Sequence, residues 1–184
     1  MAETALARIA MLYSLIAFVA LAATSLKVVA TKYQNLKETN IVFYLHDYES
    51  GRNLTVNSVA GVPRSRWGIL DFGTVFVCDD KMTAAYDWKS EQIGRAQGIF
   101  INSALDGSDL HMLMSLVFTN KEFSGSTLEI QGANRFYQKY RDLSVVSGTG
   151  MFRLARGFAT LETVFLDILS SNAIIRWNVT VFHF

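Results

Sequence analysis

From residue 41 onward the chain is one short β-patterned run after another. Each is rich in β-branched and aromatic residues, alternates in polarity, and is bounded by Gly, Asn, Asp or Ser. Nine such runs, at 41–48, 55–60, 69–79, 92–102, 110–119, 126–133, 141–146, 151–163 and 174–183, predict nine strands, and no long amphipathic helix separates them. The class is therefore all-β. Sequential strands joined by short turns leave two unprotected edges unless the sheet closes into a barrel or stacks as a sandwich. Alternation fits either architecture.

With 184 residues, 51% of them apolar, the chain can bury one full core, and a single domain is expected. A net charge of +1 without any Lys/Arg cluster argues against nucleic acid and anionic lipid as partners. Residues 1–30 read as a secretory signal. Arg8 precedes an apolar run at 9–23 broken only by Ser14, and cleavage is expected after Ala22 or after Ala30. That run falls short of the roughly 20 residues a spanning helix needs, so removal is expected rather than anchoring, leaving 31–184 as the secreted domain. The sequons Asn53-Leu54-Thr55 and Asn178-Val179-Thr180 suit N-glycosylation on that route, Asn53 in the more accessible position. Cys78 is the only cysteine, which leaves no internal disulfide and reads as a small core residue.

Period-two geometry places Ile41, Phe43, Leu45 and Asp47 on one face of the first strand. Asp47 is then either a strand-end residue accepting turn hydrogen bonds or a cavity carboxyl whose pKa is raised by desolvation, able to act as a general acid. His46 falls on the opposite face and reads as structural. His46, His111 and His183 have no ligand-type spacing with Cys or acids, so no metal is expected. Arg141 shares its face with Leu143 and Val145, and needs an acid or an anionic ligand if it points inward; its neighbour Asp142 is the simplest partner. Asp79-Asp80 reads as a strand end capping a turn, and Arg95 and Arg156 as structural ion-pair residues. Gly94 and Gly98 mark close packing or irregularity, and Gly148-Thr149-Gly150 a hairpin turn rather than a phosphate loop, since no helix follows. Trp67, Tyr86 and Trp88 are loop aromatics that either cover a cavity mouth or meet another subunit.

Several short motifs occur in a fixed order: His46-Asp47, Phe72-Gly73-Thr74-Val75 with Asp79-Asp80, Gly94-Arg95-Ala96-Gln97-Gly98, Gly125-Ser126-Thr127-Leu128, Arg141-Asp142-Leu143-Ser144-Val145-Val146, Gly148-Thr149-Gly150, and Phe152-Arg153 before Ala155-Arg156-Gly157. From about Thr39 to the C-terminus the chain thus resembles the plant dirigent family. The resemblance implies an eight-stranded antiparallel β-barrel of the dirigent and allene oxide cyclase type, assembled as a homotrimer, secreted to the apoplast and working without a cofactor. It also implies a phenolic ligand in a pocket carrying Asp47 as acid and Arg141 as oxygen-binding group, with Phe43, Leu45, Phe100, Asn102 and Asn134 around them. Asn134 stands where lignan-forming members carry a second pocket aspartate, and an amide cannot supply a proton. Members with a cysteine pair differ from this chain, which resembles a cysteine-poor branch.

Two functions follow from the resemblance. In the first, the protein binds phenoxy radicals made by an oxidase such as laccase, for example those of coniferyl alcohol, and steers their coupling to lignan-type products without oxidising anything. In the alternative it is an enzyme that dehydrates an isoflavanol to a quinone methide and closes it, as pterocarpan-forming members do. A wall-binding structural role is the third class.

Overall fold

The computed structural model describes residues 11–25 and 36–184. Residues 11–25 form a helix that contains Ala22, one of the two expected cleavage points; Arg8 and the alternative point after Ala30 lie outside the described residues. Among the described residues no helix is long and apolar enough to cross a membrane.

Residues Lys37–Phe184 form a unit of their own. Its strands are β1 (Lys37–Tyr48), β2 (Val56–Ala60), β3 (Val75–Thr83), β4 (Gln92–Asn102), β5 (Leu110–Phe118), β6 (Thr127–Asn134), β7 (Tyr140–Thr149), β8 (Arg156–Asp167) and β9 (Asn172–His183). All pairings are antiparallel, in the order β1-β9-β8-β7-β6-β5-β4-β3-β2, and a further pairing of β1 with β3 closes eight of the strands into a barrel. The closing ladder has three rungs, Tyr44↔Thr83, Leu45↔Met82 and His46↔Lys81. The short β2 takes over the free edge of β3 where β1 leaves it, starting from Val56↔Cys78. Closure removes the exposed edges of the sheet and makes the alternation of each strand an inside and an outside.

The inside is a packed core. Phe43, Leu45, Phe76, Met82, Ala96, Leu116, Leu128, Val145, Leu161, Trp177 and Val179 are all essentially buried. One end is plugged by aromatics: a single 3-10 turn, Gly150–Phe152, carries Phe152 to within 5.7 Å of Phe118 and 5.4 Å of Phe123 between ring centres. Gly94 and Gly98 face inward on β4 at points where β5 crosses too closely for any side chain. A Cβ at Gly98 would lie 2.2 Å from the Leu113 carbonyl oxygen, and one at Gly94 2.3 Å from that of Val117.

Several strand boundaries differ from the pattern reading: β1 starts at Lys37 rather than 41, and β7 runs on through Gly148 and Thr149, which the pattern gave to a hairpin turn. The run at 69–79 is loop as far as Thr74, turned by Gly73 at φ 83, and the strand instead continues through Asp79 and Asp80 to Thr83 because β1 pairs with its far half. The run at 151–163 begins with the plug turn, so β8 starts at Arg156 and extends to Asp167. Replacing Gly98 by Ala is expected to cost about 1–3 kcal/mol of stability through overpacking, read as a lower midpoint in a urea unfolding series.

Candidate active site

Asp47 ends the inward face of β1, Asn134 ends β6, Arg141 opens β7 and Thr163 lies in the last part of β8. With every pairing antiparallel, these strand ends lie at one end of the barrel, away from the aromatic plug, and hydrogen bonds join Asn134, Arg141 and Thr163 there. The site is polar there because the strands run out of apolar partners while their inward positions continue.

On the β1 side stand acids. Asp47 keeps a partly exposed surface, and burial, aided by the neighbouring Glu49 carboxylate, pushes its pKa up to about 7. Burial likewise raises Glu49 to about 7. Asp80, on β3, is 1% exposed and its carboxyl is held well above the ordinary range by burial first and by the charge of Asp47 second. Cys78 lies on the same inward face of β3, and burial pushes its thiol up, so it stays a neutral core group.

On the β7 side stands a cation. Arg141 is 3% exposed; its Nε donates to Asn134 Oδ1 at 3.0 Å, and one terminal nitrogen donates to Thr163 Oγ1 at 2.9 Å and to the Gln138 carbonyl at 3.5 Å. Asp142 points elsewhere and accepts from Thr160 Oγ1 at 2.6 Å. Among the described residues no carboxylate lies within ion-pair distance of Arg141, so a buried guanidinium is held by neutral groups alone. Burial lowers its pKa. Ladder pairing of β6 with β7 stops at Gln131↔Ser144, and beyond it a cleft of about 410 Å³ opens, lined by Gly132, Gln138, Tyr140, Arg141 and Ser144 among others. The exposed Tyr140, Asp142 and Ser144 of the outer face of β7 line it beside Arg141, and Asp47 does not.

The remaining residues singled out from the sequence take different places. Phe43 stacks on Trp177 at 5.6 Å and Phe100 on Phe76 at 4.7 Å, and with Leu45 all are buried in the core. Asn102 is fully buried, its Nδ2 donating to the carbonyls of Ile69 (2.7 Å) and Gly107 (3.0 Å), where it pins two loops. Asn53 lies in the exposed turn after β1, and Asn178 is exposed on β9.

His46 is fully buried on the opposite face from Asp47, bonded to Thr83 Oγ1 at 2.8 Å, and burial together with nearby Lys81 lowers its pKa to about 4. Trp88 and Tyr86 cover this outer face instead of a cavity mouth. The Trp88 ring meets His46 edge-on at 5.2 Å and stacks on Tyr48 at 5.5 Å, while Tyr86 meets Tyr44. Outward aromatics on β1 require cover, and this loop supplies it. Arg95 pairs with Asp79 at 2.5 Å as an ion pair, but Arg156 bonds only carbonyls, those of Val146 and Ala155.

A family model described as Dirigent-like protein matches residues 38–182. The chain belongs to the dirigent family. It is 40% identical over 147 residues to dirigent protein 23 of Arabidopsis thaliana, covering 80% of this chain and 79% of that one. It is 35% identical over 153 residues to pterocarpan synthase 1 of Glycyrrhiza echinata, covering 83% and 81%. The solved structure of a pterocarpan synthase dirigent protein superposes with a TM-score of 0.78 at 35% identity, covering 82% of this chain and 93% of that chain.

Asp80, Glu49 and Thr163 are the site residues that pattern reading missed. The signal for Asp80 is the alternation Phe76, Cys78, Asp80, Met82, which continues past the acidic pair when that pair is not taken as a strand end. The raised Asp47 pKa also fixes a stability trend. Its carboxyl binds its proton more tightly in the folded chain than at the ordinary value of 3.8, so the contribution is fully present below about pH 4 and is lost as pH rises through about 7. The melting temperature of the wild type should therefore fall relative to Asp47→Asn as pH is raised across that interval; parallel curves would show an unshifted carboxyl.

Proposed function

We propose that this dirigent protein binds a planar phenolic alcohol at the Asp47–Arg141 rim, removes water from it, and controls the face on which the product closes. The observation that carries the reading is Asp47, a half-buried carboxyl raised to about 7 and therefore still a proton donor near neutral pH.

The steps balance without an oxidant. Asp47 protonates the substrate hydroxyl, the C–O bond breaks and water leaves, while the conjugated phenol releases its proton to solvent and becomes a quinone methide. Arg141 steadies the oxygen as charge develops there. A second phenolic oxygen of the same molecule then attacks the methide carbon and its proton restores Asp47, while the first oxygen takes a proton back from solvent as the ring regains aromaticity. The sum is a cyclic ether and one water. The amide at Asn134 orients Arg141 without competing for the proton.

Guidance of oxidase-generated radicals, with laccase as the functional partner, is the second reading. Both readings share secretion to the apoplast with occupied Asn53 and Asn178 and assembly as a homotrimer. The bare apolar tip of the β8–β9 hairpin, with Ile168 80% and Leu169 99% exposed, supports assembly. Light scattering on a sizing column is expected to give three times the chain mass.

A paired assay on the purified protein separates the readings. A phenolic isoflavanol without oxidant is expected to yield one enantiomer of cyclised product, and Asp47→Asn to slow that reaction by about 10²–10⁴-fold with the barrel still folded. Enantiomeric excess only from coniferyl alcohol plus laccase would instead establish radical guidance.

A further inference from the structure

Asp80 is the one acid of the barrel interior with no evident structural employment. Neither carboxyl oxygen has a hydrogen-bond partner, although the side chain is 1% exposed. A buried carboxyl in that condition costs stability. Its position is fixed by the closing ladder. Leu45 faces Met82 on the inside and His46 faces Lys81 on the outside, so Asp47 and Asp80 are the next inward positions, one step beyond the last paired rung, and near enough for the Asp47 charge to raise the Asp80 carboxyl. There β1 parts from β3: the Asp79 amide donates to the Thr55 carbonyl at 2.9 Å, and the Thr55 hydroxyl donates to the His46 carbonyl at 3.2 Å. The hydroxyl adjoins Asp80 yet spends its proton elsewhere.

The groups facing the two acids are Glu49 just after β1, the Thr55 hydroxyl, which offsets part of the Asp80 shift, Cys78 and Asp79 from β3, and Arg95 from β4. Arg95 is engaged by Asp79. Two carboxylates in such surroundings cannot both ionise, and the proton belongs to the pair.

We propose that Asp80 is a positioning residue that forms a carboxyl pair with Asp47 and holds within the site the proton that Asp47 delivers to the substrate. This rests on the dehydration reading for its purpose, but not for its test. Asp80 touches no substrate; it keeps its own proton when Asp47 ionises, because burial and the Asp47 charge hold it, and it returns a proton to Asp47 once Asp47 has given one up.

The experiment is a carbon NMR titration of the full domain labelled at the aspartate carboxyl carbons, in wild type, Asp80→Asn and Asp80→Leu, without ligand, with melting temperatures alongside. Asp47 in the wild type is expected to titrate in two coupled steps. In either variant it should titrate in one, the upper step being lost with the Asp80 carboxyl. The variants should melt higher than wild type at neutral pH, because an unsatisfied buried acid has gone. An unmoved Asp47 titration, a lowered melting temperature, or failure of both variants to fold would overturn the proposal by making Asp80 a structural residue. Since no substrate is present, a silent cyclisation assay leaves a positive result standing, and a successful one does not rescue a negative result.

Discussion

Three rungs between β1 and β3 turn a nine-stranded sheet into a barrel, and the site depends on them. Without that ladder β1 would be an open edge, its inward face would have no interior to enter, and Asp47 would be an ordinary surface acid. With it, the strand is paired along its whole length to β9 on one side and near its end to β3 on the other. The ladder is short because β1 peels away at Asp47 and β2 takes its place. The separation leaves room for two carboxyls where a further apolar pair would otherwise close the core.

The interior is thus divided by polarity. Towards the plug it is aromatic and aliphatic; towards the rim it carries acids on β1 and β3 and a guanidinium on β7, each largely out of water. Removing a charge from water costs several kcal/mol unless partners compensate. Here the compensation is partial on both sides. Arg141 has an amide, a hydroxyl and a carbonyl but no acid, while Asp80 has no hydrogen-bond partner. Polar groups left short of partners in this way are suited to a ligand that brings its own oxygen and its own exchangeable proton.

Much of this was legible in the chain. All nine strands follow from alternation, since period two in a half-buried strand is imposed by backbone geometry. The motif resemblance then chose the barrel and directed attention to Asp47, Arg141 and Asn134. The Asn134–Arg141 bond was not legible, since Asp142 stood beside Arg141 in the chain as the simplest partner and instead accepts from Thr160. Misreadings arose where a local rule met a tertiary contact. Adjacent acids commonly end a strand, yet Asp79 and Asp80 continue one, because β1 and β4 both pair with β3 beyond them and Arg95 accepts the outward acid. Trp88 had the composition of a loop residue free to cover a mouth, and was instead claimed by the outer aromatics of β1.

The sequence alone determined the all-β class, the inward and outward face of each strand, and the residue types available at the rim, because these depend on neighbours one or two positions away. Only the tertiary structure decided which strands close the ring, and hence that the charge of Asp47 reaches Asp80, 33 positions on, while among the described residues an arginine with an acidic neighbour takes no acid. Closure is set by strand tilt and stagger summed around the whole barrel. No segment of the chain carries that sum by itself.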